Sequence, residues 1–284
     1  MKTIAFVILT RNSESYIEAC LDSVQALSEF AATLYIADNG SIDRTPEILC
    51  AYESRHPDQI TLCLHPQNTG TTYPRNRLLE LIPTDIDFIC VLDSDTVINE
   101  DAIRRLAACL DHDPRTMIAV PRMWNADDEE QPSCKRFPTP GGKFRKAFAR
   151  SEGKGDLRER YTFFPAKETE RKPGGDGPPL SADQTYYDVE YGISACWFMR
   201  GDVRSRVGFL DEKYFYAPED VDFCAEVWKA GYRVRLVSGA SIYHLTQRLS
   251  HQKLFSRLNV KHVTGLCRFF WKQRLFLRRW KGSV

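Results

Sequence analysis

The chain has no Cys-x-x-Cys pair: its nine cysteines are scattered singly from Cys20 to Cys267, and the total is odd. That spacing excludes a zinc ribbon and argues against a disulfide frame, so reduced, mostly buried thiols of a cytosolic protein are expected. No apolar run approaches the roughly 20 residues that a membrane span requires. The early "IAFVIL" runs into a polar "TRNSES" and reads as a first strand rather than a signal peptide. Acidic residues are missing altogether from 245–284, which hold ten Lys or Arg. Residues 1–244 are left with 29 basic against 38 acidic residues, a balance of −9. The tail is therefore a separate electrostatic object from the body.

At 284 residues and 43% apolar content, the chain can bury the core of one large α/β domain or two small ones. Its first 120 residues repeat one rhythm, a short apolar strand followed by an amphipathic helix. The strands read "TIAFVIL", "TLYIA", "TLCLH", "FICVL" and "MIAV", and the helices fall at about 14–27, 43–54, 74–82 and 99–111. This alternation predicts a mostly parallel, doubly wound sheet, in which ligands bind beyond the carboxyl ends of the strands. The turns at that edge are "TRN", "DNGSIDRT", "NTGTTYPRN" and "DSD". Each alone is what a helix cap or tight turn prefers; four at one edge point to a ligand site. In "FICVLDSDTVI" a buried strand ends on two carboxylates one residue apart, Asp93 and Asp95, for which a plain turn is the alternative reading.

From Pro121 to about Asp188 the rhythm fails. Stretches such as "PTPGGKFRK" and "RKPGGDGPPL" predict long loops with one or two short helices. Order returns with the strand "GISACWFMR" and then "YFYAPEDVDFCAEVWKAGYRVRLV". There Val221, Cys224, Ala225 and Trp228 share a helical face, Gly231 marks the helix stop, and "YRVRLV" is the next strand.

Five stretches in this order, "VILTRN", "IADNGSIDRT", "NTGTTYPRN", "VLDSD" and "GFLDEKYFYAPEDVDFCAEVWKAGYRV…YH", resemble glycosyltransferase family 2, the inverting, nucleotide-sugar-dependent enzymes of GT-A fold. Within it the likeness is to the rhamnosyltransferase-like bacterial members. The resemblance implies an α/β GT-A fold, with a Rossmann-like, mostly parallel sheet, acceptor-side loops and a basic C-terminal helical tail. Residues 1–120 would form the nucleotide-sugar-binding half, 121–190 a loop-rich acceptor-side insertion, 191–244 the catalytic and acceptor half, and 245–284 the tail.

Such a site holds a pyrimidine, a ribose and two phosphates while negative charge grows on the leaving oxygen. A divalent cation, Mg²⁺ or Mn²⁺, answers that charge directly and takes oxygen ligands. The resemblance assigns Asp95 to the metal and Asp93 to the metal shell, through a water on the metal, or to the ribose. It adds His244, after "ASIY", as a further metal ligand, although a lone histidine at a strand end also serves structure. Asp38, with Asn39 beside it, would accept from the pyrimidine N3–H, which favours uracil or thymine over cytosine. Thr10, Arg11 and Asn12 would seat the nucleoside. Asn68, Gly70 and Arg75 would lie near the base and diphosphate, where a guanidinium suits phosphate; a solvent-exposed helix residue is the other reading of Arg75. Inversion requires a base for the acceptor hydroxyl. Asp220 matches the family's base with Glu219 in support, while an acidic first helical turn explains Glu219, Asp220 and Asp222 without catalysis.

The implied donor is dTDP-L-rhamnose or a UDP-sugar, the former because "SCKRFPTPGGKFRKAFAR" resembles acceptor-side loops of the rhamnosyltransferase-like members. The implied acceptor is a saccharide or polyprenyl-linked saccharide in cell-surface polysaccharide synthesis. A sugar nucleotidyltransferase has a related sheet but opens with a Gly-rich phosphate loop, which "TRNSES" lacks. A non-enzymatic binder of nucleic acid or membrane rests on the tail alone. In helical projection Lys261, Arg268, Lys272 and Arg279 fall on one side, and Val263, Leu266, Phe270 and Leu277 on the other, with Arg274 among the apolar residues. That pattern predicts an in-plane helix on an anionic membrane, at the cytoplasmic face, or a helix packed on the acidic body. Nucleic acid is not an expected partner, because the acidic body repels it.

Overall fold

Strand β1 spans Lys2–Thr10, and its five consecutive positions from Ile4 to Ile8 are fully buried. A strand buried on both faces belongs to a parallel sheet covered by helices on each side. The computed structural model describes residues 1–138, 164–165, 186–245 and 257–279. From β1 the chain runs through α1 (Ile17–Gln25), β2 (Phe30–Asn39), α2 (Thr45–Arg55), β3 (Ile60–His65), α3 (Thr72–Leu81), β4 (Phe88–Asp93), the short β5 (Thr96–Val97), α4 (Glu100–His112) and β6 (Thr116–Trp124). The strands and helices of the expected rhythm are all present, with bounds shifted by a few residues.

Beyond β6 the described residues form the short strands β7 (Glu130–Gln131), β8 (Cys134–Lys135), β9 (Phe164–Pro165), β10 (Tyr186–Asp188) and β11 (Tyr191–Gly192), and most of the stretch in which one or two short helices are expected lies outside the described residues. Most of "PTPGGKFRK", all of "RKPGGDGPPL" and the rhamnosyltransferase-like stretch beyond Pro138 lie outside the described residues. The chain resumes with β12 (Cys196–Arg200), the single turn α5 (Val203–Arg206), α6 (Glu219–Lys229), β13 (Arg233–His244) and α7 (Arg257–Arg279).

The main sheet has the order β3-β2-β1-β4-β12-β6-β13-β10-β9. β1 runs parallel to β2 and β4, β2 to β3, and β6 to β13. β12 returns antiparallel between β4 and β6, so the fourth and fifth strands of the rhythm are not neighbours. Side-chain alternation divides the core in two. Ile4, Phe6, Ile8, Cys90 and Leu92 meet Leu21, Leu49, Ile103 and Leu106 from α1, α2 and α4. Ala5, Val7, Ile89 and Val91 face a second cluster holding Leu78, Val221, Val227 and Phe269, from α3, α6 and α7. Helix starts follow local chemistry: Asn99 caps α4 by accepting from Ala102 N at 2.9 Å, with Glu100 and Asp101 in the first turn.

Helix α7 packs on the body, and its orientation corrects the projected faces. The buried stripe is Gly265, Phe269 and Gln273, while Val263 is 58% exposed. Arg268 and Lys272 turn toward the domain, because Asp211 and Asp222 wait there: Arg268 Nη2 lies 2.9 Å from Asp211 Oδ2 and Lys272 Nζ 2.6 Å from Asp222 Oδ2. Among the described residues, no helix is long and apolar enough to cross a membrane.

Candidate active site

Parallel pairing sets the ends of β1, β2 and β4 side by side, with Thr10 opposite Asp38 and Leu9 opposite Asp93. Beyond them opens a cleft of about 440 Å³, a size suited to a small ligand. Thr10, Arg11, Asn39, Asn68, Gly70, Arg75, Asp93, Asp95, Glu219, Asp220 and His244 line it, whereas Asn12 and Asp38 do not. Asp38 is buried and braces the first two turns, accepting from Thr10 Oγ1 at 2.9 Å, Ser41 N at 2.9 Å and Ser41 Oγ at 2.5 Å. Asn12, at φ 51°, accepts from Ile42 N at 2.9 Å and donates its own N–H to Ser41 Oγ. Asn39 organises the next loop: its Nδ2 donates to Gly70 O at 2.8 Å and Asn68 Oδ1 at 3.1 Å, and its Oδ1 accepts from Thr69 N.

The strand ends also assemble a carboxylate and imidazole cluster. β4 delivers Asp93, and Asp95 stands in the turn into β5. β13 pairs His244 with Thr96, while Leu245 N donates to Asp95 O at 2.8 Å. One ligand atom from each of Asp93, Asp95 and His244 lies within 4.8 Å of the others. Two carboxylates and an imidazole form a donor set that fits a hard divalent ion such as Mg²⁺ or Mn²⁺. His244 Nε2 stands 3.4 Å from Asp95 Oδ1, near enough for the two to share a proton or a cation. Burial alone would lower the His244 pKa, but the hydrogen bond and charge of Asp95, together with Asp93, raise it above the usual imidazole value. Burial lifts Asp93 above the ordinary carboxylate range against the pull of Arg75.

Arg75 is only 3% exposed, so the solvent-facing reading of this residue does not hold. Its Nη2 donates to Asp93 Oδ1 at 2.7 Å, and its Nη1 to Ser194 Oγ at 3.1 Å and Glu219 Oε1 at 3.4 Å. The guanidinium thus ties the cluster at β4 to the acidic turn of α6. Arg75 Nε and Glu219 Oε2 are buried with no partner among the described residues, a state that ligands or waters ordinarily relieve. Beside Glu219, burial and the Glu219 charge push Asp220 up to about 7, the range of a general base working near neutrality.

Segment 214–217 holds this acidic turn against the loop that follows β3. Thr71 N donates to Phe215 O at 2.8 Å and Thr72 Oγ1 to Tyr214 O. Gly70, at φ 92°, lies so close that a Cβ would sit 2.3 Å from Phe215 O. On its other side the turn rests on α7: Asp222 is buried, pairs with Lys272, and accepts from Gln273 Nε2 at 2.8 Å and Tyr214 OH at 3.3 Å.

Sequence reasoning missed four contributors: Ser94 and Ser194 in the cleft wall, the exposed Tyr216 beside the acidic pair, and Gln131, which contacts His244. Tyr216 stood in the aromatic lead-in "YFYAPED" and could have been found there. Gln131 lies in the aperiodic segment, where no local signal marks it.

A mostly parallel sheet ending in an Asp-x-Asp step, with a second acidic pair across the same cleft, defines the class: a GT-A glycosyltransferase fold. Solved structures agree. GalNAc-T7 with UDP, GalNAc and Mn²⁺ superposes with TM-score 0.65 at 12% identity, covering 95% of this chain and 48% of that one. TarS of S. aureus with UDP-GlcNAc superposes at TM-score 0.56 and 20% identity, over 88% of this chain and 60% of that one. These likenesses are of fold. The family model for glycosyl transferase family 2 matches residues 5–166, over half of the chain. The chain belongs to that family and is a glycosyltransferase. It is also 25% identical, over 249 residues, to the N-acetylglucosaminyl-diphospho-decaprenol L-rhamnosyltransferase of Mycobacterium tuberculosis, an alignment covering 84% of this chain and 74% of that protein.

Proposed function

We propose that this glycosyltransferase is metal-dependent and inverting, and that it moves a sugar from a nucleoside-diphosphate donor to a saccharide or polyprenyl-linked saccharide acceptor in cell-surface polysaccharide synthesis. The observation that carries the reading is the placement of two acidic groups in one cleft, Asp93 and Asp95 with His244 on one side and Glu219 with Asp220 on the other, bridged by Arg75. Asp93, Asp95 and His244 would hold Mg²⁺ or Mn²⁺, whose charge stabilises the departing diphosphate. Thr10, Arg11, Asn39, Asn68 and Gly70 form the wall for the nucleoside, with Asn12 and Asp38 bracing it from behind the lining. Asp220 takes the proton of the acceptor hydroxyl as that oxygen bonds to the anomeric carbon and the bond to the diphosphate breaks, with Glu219, itself bonded by Arg75, in support. The donor to try first is dTDP-L-rhamnose, then UDP-hexoses, a ranking supported by the mycobacterial relative's name.

For a lipid-linked acceptor, the outward stripe of α7 supplies the face for an anionic membrane. Trp271 is 69% exposed there, with the Arg274 guanidinium over its ring at 4.9 Å.

A donor panel with a polyprenyl-linked saccharide mixture, read by mass spectrometry and by nucleoside diphosphate release, tests the activity. Asp95→Asn keeps the side-chain shape and removes a ligand charge, so transfer and metal-dependent nucleotide binding should both vanish. Full turnover of that variant, with or without added Mn²⁺, would overturn the assignment.

A further inference from the structure

Gln131 sits in β7, which folds back along the end of β6 with Met123 opposite Gln131. There its side chain makes two bonds to one residue: Nε2 donates to His244 O at 2.9 Å, and Oε1 lies 3.1 Å from His244 Nδ1. The pair resolves both orientations at once. A backbone carbonyl only accepts, so the amide end facing it is the NH₂ group, and the end facing the ring is the oxygen. An amide oxygen only accepts in turn, so Nδ1 carries the hydrogen. In the neutral ring the lone pair is then on Nε2, the nitrogen that points at Asp95 Oδ1 from 3.4 Å.

We infer that Gln131 is a positioning residue: it locks His244 in the Nδ1–H tautomer and fixes the ring so that Nε2 is presented to a divalent cation beside Asp93 and Asp95. The inference rests on the metal reading above. The same bonds tie the metal-side end of β13 to β7, so the aperiodic segment after β6 supports the cluster through His244. Gln131 itself touches neither nucleotide nor cation; it acts through His244.

Two measurements test this on the full chain. In metal-free protein at alkaline pH, ¹⁵N–¹H correlation of the imidazole, assigned with a His244→Ala control, should show a neutral His244 protonated on Nδ1. Gln131→Leu should shift the ring toward the Nε2–H form, and Gln131→Glu, which keeps the acceptor, should restore Nδ1–H. Mn²⁺ affinity, followed by electron paramagnetic resonance with UDP present, should fall about 10–100-fold in Gln131→Leu and recover substantially in Gln131→Glu. A wild-type neutral ring protonated on Nε2, or Mn²⁺ affinity unchanged in a folded Gln131→Leu, overturns the proposal. If the wild type itself binds no Mn²⁺, the metal reading of the site falls, and with it this role for Gln131, even where the tautomer is as expected.

Discussion

Replacing Lys272 by Met removes one ammonium from three carboxylates. Its Nζ lies 2.6 Å from Asp222 Oδ2, 3.2 Å from Asp211 Oδ2 and 3.4 Å from Glu226 Oε1. Asp211 keeps Arg268, so the burden falls on Asp222, which is 2% exposed and, among the described residues, retains the neutral donors of Gln273 and Tyr214. Removing one partner of a buried pair costs about 3–5 kcal/mol; with the lysine partly exposed and two donors left, the expected loss is about 2–3 kcal/mol. That corresponds to a melting temperature lower by about 4–12 °C for a domain of this size. Burial already holds the Asp222 carboxyl above its ordinary pKa, against Lys272 and Gln273, and losing the lysine lifts it further. A carboxyl raised in the folded state makes the fold less stable as pH rises through that raised range. The deficit of the variant should therefore be largest above that raised range and shrink as pH falls through it and Asp222 takes up a proton. Urea unfolding of both proteins across that range measures it. A deficit under about 1 kcal/mol, or one flat with pH, would refute the reasoning and leave α7 loosely attached, free to act as the surface tail that its charge first suggested.

Asp220→Asn should keep donor binding and lose about 10²–10⁴ in kcat, as removal of a general base does; collapse of nucleotide affinity instead would make Asp220 a donor-site residue and Glu219 the better base. Because Asp220 is pushed up to about 7 and must be ionised to act, kcat/KM should fall as pH drops below about 7. Glu219→Gln, which removes the neighbouring charge, should move that limb to lower pH, and a limb that stays in place counts against the assignment. Gly70→Ala forces a Cβ into Phe215 O at φ 92°, so a destabilisation of about 1–3 kcal/mol is expected in urea unfolding; a loss below about 0.5 kcal/mol would mean that the contact between the two loops yields easily.

Much of the molecule was legible from local pattern. Strands β1 to β4 are runs of apolar residues bounded by polar turns, and helices α1 to α4 have the 3.6-residue period, both properties of neighbours in the chain. The same holds for the chemistry at strand ends: Asp93 and Asp95 leave a buried strand one residue apart, and Glu219 and Asp220 open a helix whose start is marked by its own acids. Gly70 and Gly231 were legible as turn and stop because their backbone needs positive φ, a local demand.

Contacts between distant parts of the chain were not legible. Whether β12 or β6 lies against β4 is a choice of partner, and the apolar run in each suits either. The sequence offers Arg75 as a residue near the diphosphate or as a solvent-exposed helix residue, and only the fold brings Asp93 and Glu219, from two other elements, to the ends of its guanidinium. The amphipathic period of α7 announced a buried stripe without naming what it faces. Only when Asp211 and Asp222, roughly fifty residues earlier, arrive beneath the helix does it become favourable to turn Arg268 and Lys272 inward and to leave Val263 and Trp271 in solvent. The sequence alone thus determined the strands, the helices and the acids at their ends, because these depend on residues within a few positions of each other. Tertiary structure decided which buried charges are neutralised by which partners, because that energy depends on distance in space and on desolvation, and neither is written in the spacing along the chain.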